Sequence, residues 1–224
     1  MTKIEIYEKK LIKEGITEDG YAEYETLLKR VRSNFLRLQH CYTTAAQFPI
    51  DRSREGIDLI LWGLQKYPDT WFSTYTAYYN IGIICERCGK YSDAYKAYLK
   101  ASETLNKDQI SYRRTISGNL MWMLLHVDNF NYSEQLENYY VVFSEINDME
   151  KAFINNEFRL AVAEIVIFSH KGMQNEAAAS YKKAIRLNSP NVVSRIQGIL
   201  DKHRVKDRLK NTPECAAFLK TVKL

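Results

Sequence analysis

Residues 75–108 constrain this chain more than any other stretch. They read YTAYYNIGIICERCGKYSDAYKAYLKASETLNKD. Tyr78, Ile81, Gly82 and Cys85 recur at helical spacing before a Gly89-Lys90-Tyr91 turn. Ala94, Tyr98 and Ala101 recur at helical spacing after it. Small residues at Gly82, Ala94 and Ala101 let two helix backbones approach closely, and the larger ones fill the space around that contact. One such helix pair cannot bury its apolar face alone, so neighbours must stack on it.

The same spacing returns elsewhere. Gly56, Ile60, Gly63 and Pro68 in REGIDLILWGLQKYPD match the second helix, which sets a unit at 37–70 and an insertion, Trp71 to Thr74, before the next. Ala177, Tyr181 and Ala184 match it again in a unit at 158–191, with Gly172 at the turn. A degenerate copy at 117–150 offers Leu120, Met123 and Leu124, then Leu136, Tyr140 and Phe143, around the loop DNFNYS. These spacings resemble the tetratricopeptide repeat, a helix–turn–helix unit of about 34 residues. The resemblance spans 37–191. It implies an all-α fold, a right-handed superhelical solenoid of antiparallel helix pairs with helical caps at both ends.

The flanks supply the caps. In residues 21–47, Tyr24, Leu27, Leu28, Val31, Phe35 and Leu38 form a long amphipathic stripe. Residues 3–14 predict a shorter charged helix, broken near Gly15 and Gly20. The N-terminal cap is thus 1–36. Beyond Pro190, residues Val192, Val193, Ile196, Ile199 and Leu200 begin a last amphipathic helix, so 192–224 is a capping helix with a basic tail.

Composition agrees with long helices and short connections. The 224 residues are 46% hydrophobic and hold only 4 Pro and 9 Gly. The opening MTKIEIYEKKLIKEG lacks the apolar segment of a secretory leader. No run approaches the ~18 apolar residues that cross a bilayer. A cytoplasmic protein with no membrane insertion is expected, and four unframed Cys fit reduced thiols. Charge is uneven: residues 195–224 hold eight Lys and Arg against three acidic residues, which equals the whole-chain excess of +5.

Catalytic signatures are missing from the sequence. It contains no G-x-S-x-G, P-loop or G-x-G-x-x-G. Cys85 and Cys88 form a C-x-x-C inside a predicted helix without a second pair, so they read as structural thiols. His40, His126, His170 and His203 stand far apart, and none has a partner at metal-ligand spacing. No enzyme activity, cofactor or metal is expected.

The resemblance places function in the concave groove, lined by the first helix of each repeat. Thr76, Tyr79, Ile83, Glu86 and Arg87 would line it in the best repeat. Arg159, Val162, Val166 and Ser169 would line it in the 158–191 copy. Such a mixture suits a peptide or helical segment of a protein partner, with Tyr79 as anchor and Glu86, Arg87 and Arg159 fixing orientation. Chaperone-adaptor members of that family hold Lys and Asn where this chain has Tyr79 and Ile83, which argues against that role. The function expected is a scaffold or adaptor, and self-association through exposed helices is a further option. The rival is a peptide-sensing or nucleic-acid-associated regulator. Its contacts would be Lys202, Arg204, Lys206, Arg208 and Lys210 on the C-terminal helix.

Overall fold

The computed structural model describes residues 1–68, 70–127, 134–145, 154–187, 192–205 and 207. Every regular element among them is helical: α1 (Lys3–Glu14), α2 (Glu18–Leu28), α3 (Asn34–Ala45), α4 (Ser53–Lys66), α5 (Trp71–Arg87), α6 (Tyr91–Ser102), α7 (Ile110–His126), α8 (Glu134–Ser144), α9 (Ile154–His170), α10 (Gln174–Arg186) and α11 (Val192–Lys202), with one 3₁₀ turn at Ile50–Arg52. The chain divides into two units, Met1–Asp108 and Gln109–Leu224. The segment read as one repeat array, 37–191, contributes to both.

Within the first unit, α1 packs on α2, α3 on α4 and α5 on α6, while α3 also meets α1 and α5, and α4 meets α5. The predicted α5/α6 pair is held at close range by one position. A Cβ built on Gly82 would lie 2.4 Å from the ring of Tyr98, which is fully buried. Only a hydrogen fits there, so the ring rests on the bare backbone of α5. Tyr98 then donates its hydroxyl to Glu86 Oε2 at 3.0 Å. In α4, Gly56 lies against the Ala45 carbonyl and Gly63 against Cys41, where added Cβ atoms would each sit at 2.8 Å.

The turn chemistry is as the sequence predicts. Gly89 adopts φ +70 and Gly172 φ +73. Lys90 N–H bonds the Cys85 carbonyl and Met173 N–H bonds the Phe168 carbonyl, both at 2.9 Å. This is the glycine-terminated helix end that closes a pair and starts the next helix.

Three local features differ from the sequence reading. The stripe at 21–47 is not one helix, because Ser33 leaves helical geometry and caps α3 by accepting from Leu36 N–H. Gly20 does not break a helix; it lies in the first turn of α2, capped by Thr17. Trp71 to Thr74, read as an insertion, form the first turn of α5.

The second unit repeats the pairing. α7 packs on α8 and α9 on α10, with α9 also against α7 and α8. Gly118 is the counterpart of Gly82: its Cβ would meet the Phe143 ring at 2.5 Å. Glu164 of α9 joins two neighbours by accepting from Tyr140 of α8 at 3.1 Å and Ser180 of α10 at 2.8 Å. The loop DNFNYS and Pro190 lie outside the described residues.

Gly82→Ala should destabilise the protein by about 1–3 kcal/mol, since a buried ring must move. Gly89→Ala has open space around it and should cost only about 1 kcal/mol of backbone strain. Chemical denaturation of both variants tests this order.

Candidate functional site

Aromatic rings follow one another along α5. Residues 71, 75 and 79 are separated by one helical turn each and share a face. Trp71 meets Phe72 edge-on at 5.5 Å, Phe72 stacks on Tyr75 at 6.4 Å, and Tyr75 stacks on Tyr79 at 5.6 Å. Phe35 of α3 joins at 5.7 Å from Phe72, and Tyr98 of α6 at 5.8 Å from Tyr79. The row is partly open. Trp71 is 40% exposed and Ile83 39% exposed, while Tyr79 is half-buried. Beside the row, Lys100 lies over the Tyr78 ring at 5.2 Å.

Other residues expected in the groove have internal work. Arg87 donates to the Ala46 carbonyl at 2.6 Å and to the Phe48 carbonyl at 2.7 Å, so its guanidinium closes the C-terminal end of α3. Glu86 accepts from Tyr98. The Thr76 hydroxyl is buried without a hydrogen-bond partner. Tyr79 and Ile83 are the two members of this set that extend the aromatic row.

In the second unit, Arg159 of α9 donates to Asn119 Oδ1 at 2.7 Å and lies over the Trp122 ring at 5.4 Å. Val162, Val166 and Ser169 are buried, which places them in the core and not on an open face. The helical period that put Val162 and Val166 beside Arg159 does not say which of two apolar faces of α9 meets solvent, because Ala161, Ala163, Ile165 and Ile167 are buried as well.

The basic C-terminal set is only partly described. Lys202 donates to the His126 carbonyl at 2.7 Å, which closes the end of α7. Arg204 is exposed and has a left-handed backbone at φ 51 just past α11. Lys206, Arg208 and Lys210 lie outside the described residues.

Three of the four thiols lie among the described residues. Cys41 and Cys85 are buried and Cys88 half-buried. Desolvation raises the Cys41 and Cys85 thiols above their usual range, the opposite of an activated nucleophile. Among the described residues, no group of three or more His, Cys, Asp or Glu is placed to hold a metal ion. No helix among them is long and apolar enough to cross a membrane.

Comparison with known proteins corrects the family reading. The family model that matches is non-capsid protein NP1, over residues 29–122, and no tetratricopeptide family matches. The matched span runs from the end of α2 into α7 and includes the whole of α5. No curated protein and no solved structure matches the chain. The small and large residues that suggested the repeat report a close-packed helix pair. Gly82 under Tyr98 and Gly118 under Phe143 are requirements of that contact, whatever family supplies the helices.

Arg87→Gln should remove the two carbonyl contacts and cost about 1–2 kcal/mol at this half-solvated site. Hydrogen exchange should quicken at the C-terminal turn of α3 before it does in α6. Equal protection in variant and wild type would show that the guanidinium closes nothing.

Proposed function

We propose that this chain is a non-enzymatic interaction module that binds a peptide or helical segment of a protein partner. The observation that carries this reading is the aromatic row on α5, open to solvent at Trp71 and continued by Ile83. Exposed tryptophan next to stacked tyrosines offers large apolar area at little conformational cost, as anchor positions in interfaces do. The row sits on a helix whose place is fixed by the Gly82–Tyr98 contact and by Arg87.

In this reading Tyr79 and Ile83 serve as anchors, and Trp71 joins them. Arg87 and Glu86 position α5 and do not touch the partner. The helix pairs of the first unit form a right-handed superhelical stack, and the face of α5 is its groove. The span similar to non-capsid protein NP1 contains the whole of this face. A scaffold or adaptor working in the cytoplasm fits these features. The nucleic-acid reading draws on the C-terminal basic set, of which Lys202 is engaged with His126.

The test is a pull-down from native cell extract, with and without nuclease, using wild type and the double variant Trp71→Ala/Ile83→Ala. Both side chains are partly exposed, so helicity by circular dichroism should hold. Partner recovery that survives nuclease should fall at least about tenfold in the variant, as for loss of interface anchors. Undiminished recovery would overturn the α5 reading. Recovery abolished by nuclease would favour the nucleic-acid regulator.

A further inference from the structure

One carboxylate in the first unit binds three helices together. Glu8 of α1 places Oε1 2.8 Å from the Tyr24 hydroxyl of α2 and 2.8 Å from His40 Nδ1 of α3. Its side chain is only 12% exposed, and that of His40 32%. The Tyr24 ring beneath is fully buried, stacked between Tyr7 of α1 and Trp62 of α4 at 6.0 and 6.2 Å. Tyr24 also lies 3.4 Å from the Thr44 hydroxyl. The arrangement ties α1 to the rest of the unit through a histidine, the side chain that titrates near neutrality.

We propose that α1 is a pH-responsive strap, held tightly by Glu8 when His40 is protonated and more loosely once His40 loses its proton. The titratable groups facing His40 are Glu8 and Glu5 from α1. From α2, Tyr24 reaches the same carboxylate, and burial drives its hydroxyl well above its usual range, so it stays a neutral donor. The adjoining Cys41 thiol is likewise driven up by burial and stays neutral. His40 is therefore the group that changes charge in this cluster between weakly acidic and weakly basic pH. Its hydrogen bond to Glu8 raises its protonation above the ordinary histidine value, and burial opposes this less strongly.

The sign follows from linkage. With α1 docked, His40 holds its proton to a higher pH than with α1 released. Below the ordinary value of about 6.5 the charged pair contributes in full. As pH rises through the raised value, that contribution disappears. The strap is not lost altogether, since Tyr7 still donates to the Gly20 carbonyl and Arg52 still grips the end of α1. Release would uncover the face of the Tyr24 ring on which Tyr7 stacks. Strap α1 also lies outside the span matched by the family model, whereas His40 lies inside it.

The experiment is native-state hydrogen exchange on the full chain between pH 5.5 and 8.5, corrected for intrinsic rates. Protection of α1 amides relative to α5 should fall with rising pH in wild type and stay level in His40→Gln. Equal slopes in the two proteins, or α1 protection that does not fall with pH, would overturn the proposal. Wild type supplies a second readout by NMR titration of the His40 ring. Its midpoint should lie above that of an ordinary histidine and move down in Glu8→Gln. A wild-type midpoint at or below the ordinary value would also overturn it.

Discussion

The last turn of an α-helix leaves four carbonyl oxygens without intrahelical partners, and a fold made of short helix pairs contains many such ends. This chain answers the problem in two ways. Where a pair must close tightly, a left-handed glycine lets the chain bond its own last turn, as at Gly89 and Gly172. Elsewhere a cation from a later helix reaches back. Arg52 donates to the Ile12 carbonyl of α1 at 2.8 Å, Arg37 to the Leu28 carbonyl of α2 at 3.1 Å, Arg87 to the turn after α3 and Lys202 to the end of α7. Each contact places positive charge at the negative end of a helix. Arg52 is anchored in turn by Glu55, whose carboxyl it holds below the usual range, and Glu55 also accepts from Ile16 N–H.

Against that frame of closed ends, the α5/α6 contact decides where apolar surface goes. The Tyr98 ring occupies the space above Gly82, which fixes the rotation of α5 about its axis. Buried Ile81, Ile84 and Cys85 then face inward, and Ile83 is left at the surface with the aromatic row. The exposed face is the remainder after the tightest contact has been satisfied. Hydrogen bonding to Glu86 gives the ring a polar anchor at its far edge.

The all-helical class, the α5/α6 pair and both glycine turns were legible because each rests on local chemistry. Helical periodicity, a small residue opposite a large one and a Gly at the turn all operate within about 25 residues. The same local chemistry misleads about family, because contact requirements shared by many helix pairs are not the mark of any one. The apolar stripe runs across the α2–α3 break, and the cap at Ser33 is a weaker local signal than the stripe, so the sequence sets the boundary at 36/37 where α3 begins at Asn34. Arg87 was read as a ligand contact because spacing places a residue on a face without saying how far its side chain reaches. Its partners lie 41 and 39 positions upstream, beyond any local pattern. Glu8 and His40, 32 positions apart, were invisible as a pair for that reason too.

Those long separations have a consequence for synthesis. Arg52 follows the Ile12 carbonyl by 40 positions and Arg87 follows the Ala46 carbonyl by 41. At roughly 5–20 residues per second, a ribosome takes about 2–8 s to make 40 residues. A helix forms in about a microsecond or less. The ends of α1 and α3 thus stay open for seconds before the residue that closes each has been made, and helices of 12 residues are marginal on their own over that interval. Closure proceeds from the N-terminus in the order of translation, and α3 is completed only when the end of α5 emerges. A nascent chain arrested between α3 and α5 carries helices whose ends are still accessible to water, to chaperones and to other nascent chains.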